Sequence, residues 1–268
     1  MKIFVCVKQV PDTRGRVSLK KDGTLDRSKM ATIINPDDLG AVETALKIKD
    51  ANGAEVVALT MGPPMAVPML HELYAMGVDR TILITARELV GSDTYGTSSV
   101  LAAVIKDDGL GEGDIILTGR QAIDGDTAQV GPEMAEKLGI GQLTCVSQMK
   151  FEGCCVTAKC ELEDGYQTVR THTPCLVSCM QKIDTPRYMN IKRIFDWDEK
   201  RDMRTVTCAE LAGMPIYDPT VVGTKQSPTI VSCSFALPQK TNALILEGGA
   251  ADISKQLFGI MDDRHVFG

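Results

Sequence analysis

The sequence predicts an α/β fold: a doubly wound, mainly parallel sheet with an antiparallel extension and an extended C-terminal arm. Three observations carry this. Apolar strand-like runs alternate with helical stretches through the first half of the chain. Those runs are apolar on both faces, as strands covered by helices on each side must be. After Gln142 the pattern changes to strand-like runs joined by tight turns, and after about Ile183 the period is lost.

The elements follow in order. Ile3–Val7 reads as a buried strand, and Pro11 is expected to stop its ladder. Lys21-Asp22-Gly23 is a hairpin turn signal between two short runs. Asn35-Pro36-Asp37-Asp38 is a helix start with early proline and acids in the first turn. Val42, Ala45, Leu46 and the Lys49 stem make one face, and Asn52-Gly53 ends that helix. Glu55–Met61 is the second strand, Met65–Met76 a helix, and Arg80–Thr85 the third strand. Asp93-Thr94 caps a helix through Ile105, and Ile115–Thr118 is the fourth strand. Right-handed crossovers gather the loops after these strands at one edge, where a ligand crevice is expected.

From Leu143 to Phe151, Cys154 to Glu161, Tyr166 to Thr171 and Cys175 to Cys179 the runs read as four antiparallel strands. A charged helical stretch is expected around Lys192–Lys200 and a helical turn at Thr207–Leu211. Pro215, Pro219, Pro228 and Pro238 then space out a tail that keeps Ile216, Val221, Val222, Ile230, Val231 and Phe235. A solvated linker needs no such residues, whereas an arm lying on another polypeptide does. Ala250–Met261 reads as an amphipathic helix. The expected division is therefore a nucleotide-binding domain over 1–185, a recognition segment over 186–205 and an arm over 206–268.

Composition excludes several classes. Aromatics are 4% against 44% hydrophobic residues, so the core is aliphatic. A net charge of −6 with no basic stripe argues against nucleic-acid binding. Lys2 is followed by an apolar run too short for a signal core or a membrane span, so a cytoplasmic protein without membrane insertion is expected. The nine cysteines form no C-x-x-C pair, and the three histidines lie far apart in sequence. Free buried thiols and no metal site are expected. No nucleophile–base–acid triad can be assembled, so no catalytic residue is assigned.

One loop stands apart: Gly119-Arg120-Gln121-Ala122-Ile123-Asp124-Gly125-Asp126-Thr127-Ala128-Gln129-Val130-Gly131-Pro132-Glu133. It joins a strand to a helical pattern over Val130–Leu138. Strand, small-residue loop, helix presents backbone N–H groups and a helix N-terminus to an anion. The loop carries three carboxylates against Arg120, so any phosphate must be held by amides, with help from Thr127 and Gln129. The carboxylates would serve as helix-start acceptors or as partners for ribose hydroxyls. Spacing alone leaves a well-capped turn without ligand equally open.

The sequence GRQAIDGDTAQVGPE resembles the signature of the β subunit of electron-transfer flavoproteins. Further matching pieces stand in family order: VCVKQVPD, INPDDLGAVETALKIK, LTMGPP, GVDRTILI, DTYGTSSVLAAVIK and TPRY. The resemblance covers the chain to about Lys200 and, more weakly, the tail. It implies an adenine nucleotide whose phosphates meet Thr127, Ala128, Gln129, Val130 and Gly131, with Gly119, Gln121 and Asp126 in the same loop. Cys6 and Met61 would lie against the adenine as backbone or side-chain walls, and Gly62 is counted with the cofactor-binding residues. Asn35 would sit near the nucleotide, or else simply cap its helix. Met61 would pack in the core at the same time.

The family divides into a kind that holds structural AMP here and a bifurcating kind that holds a second FAD reduced by NADH. The VKQVPDT start and DGDTAQVG resemble the second kind. With FAD, the ring would be lined by Lys8, Gln9, Val10 and the Thr94–Thr97 turn. The implied partners are an α subunit, an acyl-CoA dehydrogenase-type enzyme, and ferredoxin or flavodoxin as low-potential acceptor. The TPRY stretch resembles the family's recognition segment, which nominates Tyr188, Met189 and Ile191 for docking. The alternative for Ile191 is an ordinary buried residue of a short helix. A reading from another class is an adenine-nucleotide sensor or an ATP-using enzyme on a similar sheet. An ATP pyrophosphatase of that type would carry Ser-Gly-Gly-x-Asp-Ser after the first strand, where Lys8-Gln9-Val10-Pro11-Asp12 stands instead.

Overall fold

The computed structural model describes residues 1–12, 31–230 and 243–267. The Lys21-Asp22-Gly23 turn signal and the tail residues Val231, Phe235 and Pro238 lie outside the described residues. The described chain divides into two units, residues 1–12 with 31–230 and residues 243–267.

The strands of the larger unit are β1 (Lys2–Cys6), β2 (Gln9–Pro11), β3 (Thr32–Ile34), β4 (Glu55–Met61), β5 (Arg80–Ile84), β6 (Ile115–Gly119), β7 (Gly141–Glu152), β8 (Cys155–Leu162), β9 (Gly165–His172), β10 (Cys175–Cys179) and β11 (Asp202–Val206). Its helices are α1 (Pro36–Asn52), α2 (Val67–Met76), α3 (Thr94–Asp107), α4 (Val130–Leu138), α5 (Ile191–Lys200) and α6 (Cys208–Leu211). The main sheet runs β11-β5-β4-β1-β6-β10-β7-β8-β9. The strands from β11 through the first half of β7 are parallel, and β8 and β9 add the antiparallel extension.

Alternation along β1 shows the double winding. Ile3 and Val5 join the core under α1 and α2, while Phe4 and Cys6 join the core under α3 and α4. Each helix ends for a local reason. Gly53 takes a left-handed φ of 69° and donates its N–H to Lys49 O. Asp93 caps α3 by accepting from Gly96 N at 2.9 Å. Thr207 and Glu210 form a capping box on α6.

Three expectations are corrected. Cys175–Cys179 is not part of an antiparallel run. It lies between β6 and β7, parallel to both. Its five residues are all buried, as an interior strand requires, whereas β9 is largely exposed. Pro11 does not end pairing, because Gln9–Pro11 forms a two-stranded ribbon with Thr32–Ile34. The third concerns the boundaries near 186 and 206. Asp202–Val206 is the edge strand β11 beside β5, and Leu211, Met214 and Val222 enter the core. The sheet unit therefore runs through residue 230.

Residues 219–230 are held on the start of α3. Gly223 N donates to Ser92 Oγ at 2.8 Å, and Thr229 N donates to Asp93 Oδ2 at 2.8 Å. A Cβ on Gly96 would lie 2.5 Å from Val221 O, so glycine is what lets this segment approach the helix. In the smaller unit α7 (Ala250–Asp263) is the expected amphipathic helix, with none of its residues buried. No helix among the described residues is long and apolar enough to cross a membrane.

Candidate functional site

The chain leaves β1 through α1 toward β4 on one side, while β6 lies on the other side of β1. The carboxyl ends of β1 and β6 thus flank the topological switch point, where an open α/β sheet leaves a crevice. The loop 120–129 rises from β6 at this place and enters α4.

Buried groups fix the loop from below. Asn35 is 0% exposed. Its Nδ2 donates to Gln121 O at 2.8 Å, and its Oδ1 accepts from Ile123 N at 3.1 Å. Its side chain makes no capping bond to α1, so the helix-cap reading is corrected. Asp38, in the first turn of α1, accepts from Lys8 N at 2.8 Å and from Gly119 N at 3.0 Å. One carboxylate therefore ties the exits of both flanking strands. Burial pushes Asp38 up to about 7, against the hydrogen bonds it receives. Gly119 is fixed by contact: a Cβ there would lie 2.3 Å from Asp38 Oδ1 and 2.8 Å from the Asp37 carbonyl carbon.

Side chains also link the loop across its top. Gln121 Nε2 donates to Asp126 Oδ1 at 2.7 Å. Lys8 Nζ lies 2.8 Å from Asp124 Oδ1. Thr94, first residue of α3, directs its hydroxyl at Gln129 Oε1 (3.1 Å) and Glu133 Oε1 (3.2 Å). Arg120 sits 3.6 Å from Asp37 Oδ2. Both cations of the site thus face carboxylates, while the buried Nε–H of Arg120 is left without a hydrogen-bond partner.

The backbone is different. Asp126 and Ala128 have φ of 49° and 54°, positions where a side chain is strained. Ala128 is followed by Gln129 in the right-handed region, with φ −101° and ψ −36°. Such alternation of hand turns successive N–H groups to one side. Among the described residues, the N–H groups of Thr127 through Gly131 meet no acceptor in the protein. Glu133 Oε2 is buried and also lacks a partner. The arrangement offers five backbone donors at a helix start and one free carboxylate oxygen beside them.

The other nominated residues fall as follows. Cys6 points its thiol into the core, 4.0 Å from Met134 Sδ, so its side chain is no wall of the site. Burial and the nearby Asp38 raise that thiol's pKa. Met61 is half-buried at the end of β4 against the α3–α4 core, and Gly62 N donates to Ile84 O. Both stand on the same sheet edge, one strand away from β1. Gln9 lies in β2 beside Ile34. Thr97 is half-buried in the first turn of α3. Gly131 is buried, and a Cβ there would lie 3.0 Å from Thr118 Oγ1, so it serves the packing of α4 on β6. The sequence reading missed Asp38 as the strand tie, and it gave the loop carboxylates Asp124 and Glu133 a role without pairing them with Lys8 and Thr94. The paired acids of the first turn of α1 were the available signal for Asp38.

A second surface stands apart from this loop. Arg187 forks onto buried Glu43 through Nε at 3.2 and 3.0 Å and Nη2 at 3.0 Å, and its N–H reaches the same carboxylate. Asn190 N donates to Ala75 O, and the Asn190 side chain caps α5. Trp197 stacks on His71 at 5.0 Å, holding α5 on α2. With its base pinned, the segment presents Tyr188 (99% exposed), Met189 (47%), Ile191 (72%) and Phe195 (80%). Ile191 is not a core residue. Phe195, one turn along the same helix, was not nominated.

Comparison with known proteins now bears on the site. Residues 22–207 match the family model described as the electron transfer flavoprotein domain. The chain is 48% identical over 267 residues to the acryloyl-CoA reductase electron transfer subunit gamma of Anaerotignum propionicum, covering 99% of this chain and 100% of the relative. It is 40% identical over 268 residues to the caffeyl-CoA reductase-Etf complex subunit CarD of Acetobacterium woodii, covering 99% and 100%. It is 40% identical over 267 residues to the electron transfer flavoprotein subunit beta of Clostridium acetobutylicum, covering 99% of each.

Proposed function

The chain belongs to the electron transfer flavoprotein family as a β subunit, and from that premise we propose that it binds FAD at the β1–β6 edge and serves NADH-driven electron bifurcation. The observation that carries the binding reading is the run of unpartnered amides from Thr127 to Gly131, set among side chains whose charges are already matched. Such a site suits a phosphate held by dipoles. The neighbouring free oxygen of Glu133 and the hydroxyl of Thr94 suit the hydroxyls of a ribose or ribityl chain.

FAD, when bound, supplies hydride acceptance from a nicotinamide and release of single electrons. The chain's own residues do the rest. Thr127–Gly131 hold the pyrophosphate, Asn35 and Asp38 keep the loop and strand exits in register, and Gln9 and Thr97 line the approach to the ring. Lys8 places a cation near the ring, tempered by Asp124, and so favours a negatively charged reduced cofactor. Met61 and Gly62 lie toward the adenine. An AMP in the same place would use the same amides and leave the Lys8–Gln9 edge without a role. The relatives named as subunits of acryloyl-CoA and caffeyl-CoA reductase systems favour the bifurcating reading. They make a sensor or ATP-using enzyme the weaker one.

The same reading assigns partners. An α subunit is to cover the apolar residues of the smaller unit, where Leu244, Ile245, Leu257, Phe258 and Phe267 are exposed. An acyl-CoA dehydrogenase-type enzyme is to dock on Tyr188, Met189, Ile191 and Phe195, and ferredoxin or flavodoxin is to take the low-potential electron in the cytoplasm. The test is anaerobic addition of NADH to the purified complex. Rapid bleaching of flavin absorbance is expected. Absorbance unchanged by NADH would overturn the bifurcating reading and leave the family membership standing.

A further inference from the structure

We propose that Cys154, Cys155 and His172 form a binding site for a borderline-soft divalent cation of the Zn²⁺ class. The site lies on the antiparallel extension and is independent of the nucleotide reading. Cys154 closes the turn between β7 and β8, Cys155 begins β8, and His172 ends β9. Their distance in sequence hides the group. Antiparallel pairing makes Cys155 and His172 direct cross-strand neighbours. Thr173 N donates to Cys154 O at 2.9 Å, which holds the turn against the end of β9.

The geometry fits a tetrahedral ion. Cys154 Sγ lies 4.0 Å from Cys155 Sγ and 3.9 Å from His172 Nδ1, and Cys155 Sγ lies 3.3 Å from His172 Nδ1. An ion with Zn–S of about 2.3 Å and Zn–N of about 2.0–2.1 Å spans edges of about 3.8 and 3.6 Å between tetrahedral ligands. The three donors therefore already stand near the corners of one face. Two thiolates and one imidazole are the donor set that borderline metals prefer over Mg²⁺ or Ca²⁺. Cys155 is buried while Cys154 and His172 are exposed, so the fourth position opens to solvent. Binding breaks two S–H bonds, forms two metal–sulfur bonds and one metal–nitrogen bond, and releases the two protons to solvent.

The test uses the full-length chain in its isolated complex, with thiols reduced, titrated with Co²⁺ and then Zn²⁺. A thiolate-to-cobalt charge-transfer band is expected, saturating at one ion per chain and bleached by Zn²⁺. About two protons should be released per ion at a pH below the thiol range. Cys154→Ser and His172→Asn, both at exposed positions, should each weaken Zn²⁺ binding at least about 100-fold, beyond the 10–100-fold typical of losing an outer partner. Cys208→Ser should leave it unchanged, and all three variants should keep their nucleotide. No charge-transfer band, or a Co²⁺ affinity left unchanged in either ligand variant, would overturn the site.

Discussion

Asn35 uses both ends of its amide on the loop, so its removal strands a carbonyl and an N–H inside the protein. Asn35→Ala is expected to cost about 1–3 kcal/mol and to release nucleotide during gel filtration, read from the ratio of absorbance at the nucleotide and protein bands. Retention equal to that of the parent would mean that the loop needs no brace. Asp38 gives a pH signature. Its pKa is raised in the fold, so the folded protein holds that proton more tightly than the unfolded chain. The stability it contributes is present below about pH 4 and is lost as pH rises through about 7. The margin of the parent over Asp38→Asn, measured by denaturant unfolding, should therefore shrink across that window. A margin that widens there would show that the two N–H donors outweigh burial. In sequence Asn35 stood for either a nucleotide neighbour or a helix cap, and Asp38 for one of two first-turn acids, so neither brace could be read from local pattern. Gln121 and Ile123, held by Asn35, and Gly119, held by Asp38, lie more than 80 positions away, and only the sheet order brings them near.

At the scale of the element, the loop before α4 carries the nucleotide claim. If amides hold the phosphate, side-chain truncation matters little. Thr127→Ala, Gln129→Ala and Arg120→Ala should each keep most of the nucleotide, and Ala128→Gly should keep it too, since it relieves the positive φ. Gly119→Ala should fail, because the new Cβ would overlap Asp38 and the Asp37 backbone. Nucleotide content after purification checks the series. Loss in Thr127→Ala or Arg120→Ala would move the binding to side chains. The strand–loop–helix pattern of this element was legible from local composition alone. The interior place of β10 was not, because its five apolar-faced residues follow an antiparallel run without a helix between. Helix α5 carries a second claim. Ile191→Ala and Phe195→Ala should each slow electron delivery to the docked enzyme by about tenfold, equivalent to ~1.5 kcal/mol of lost apolar burial. Their exposure predicts an unchanged unfolding midpoint. A lowered midpoint together with loss of flavin would return them to the core.

At the scale of the whole molecule, the parallel order of the first six large elements was legible because each strand is apolar on both faces and each helix has its own stop signal. The boundary of the sheet unit was not. Proline spacing from Pro215 suggested an arm lying on another polypeptide, yet Val222 is buried in the core beside α3, and Gly223 and Thr229 bond to Ser92 and Asp93 just before that helix. Truncation near Pro219 would thus injure the sheet unit itself. Removal of residues 243–268 tests the arm, and should weaken assembly with the α subunit while the sheet unit keeps its cooperative unfolding. The proposed seat of this chain's own FAD is the switch point between β1 and β6. Release and quantification of nucleotides from the purified complex checks this. Two FAD per heterodimer and no AMP is the result expected; one FAD with one AMP would contradict it.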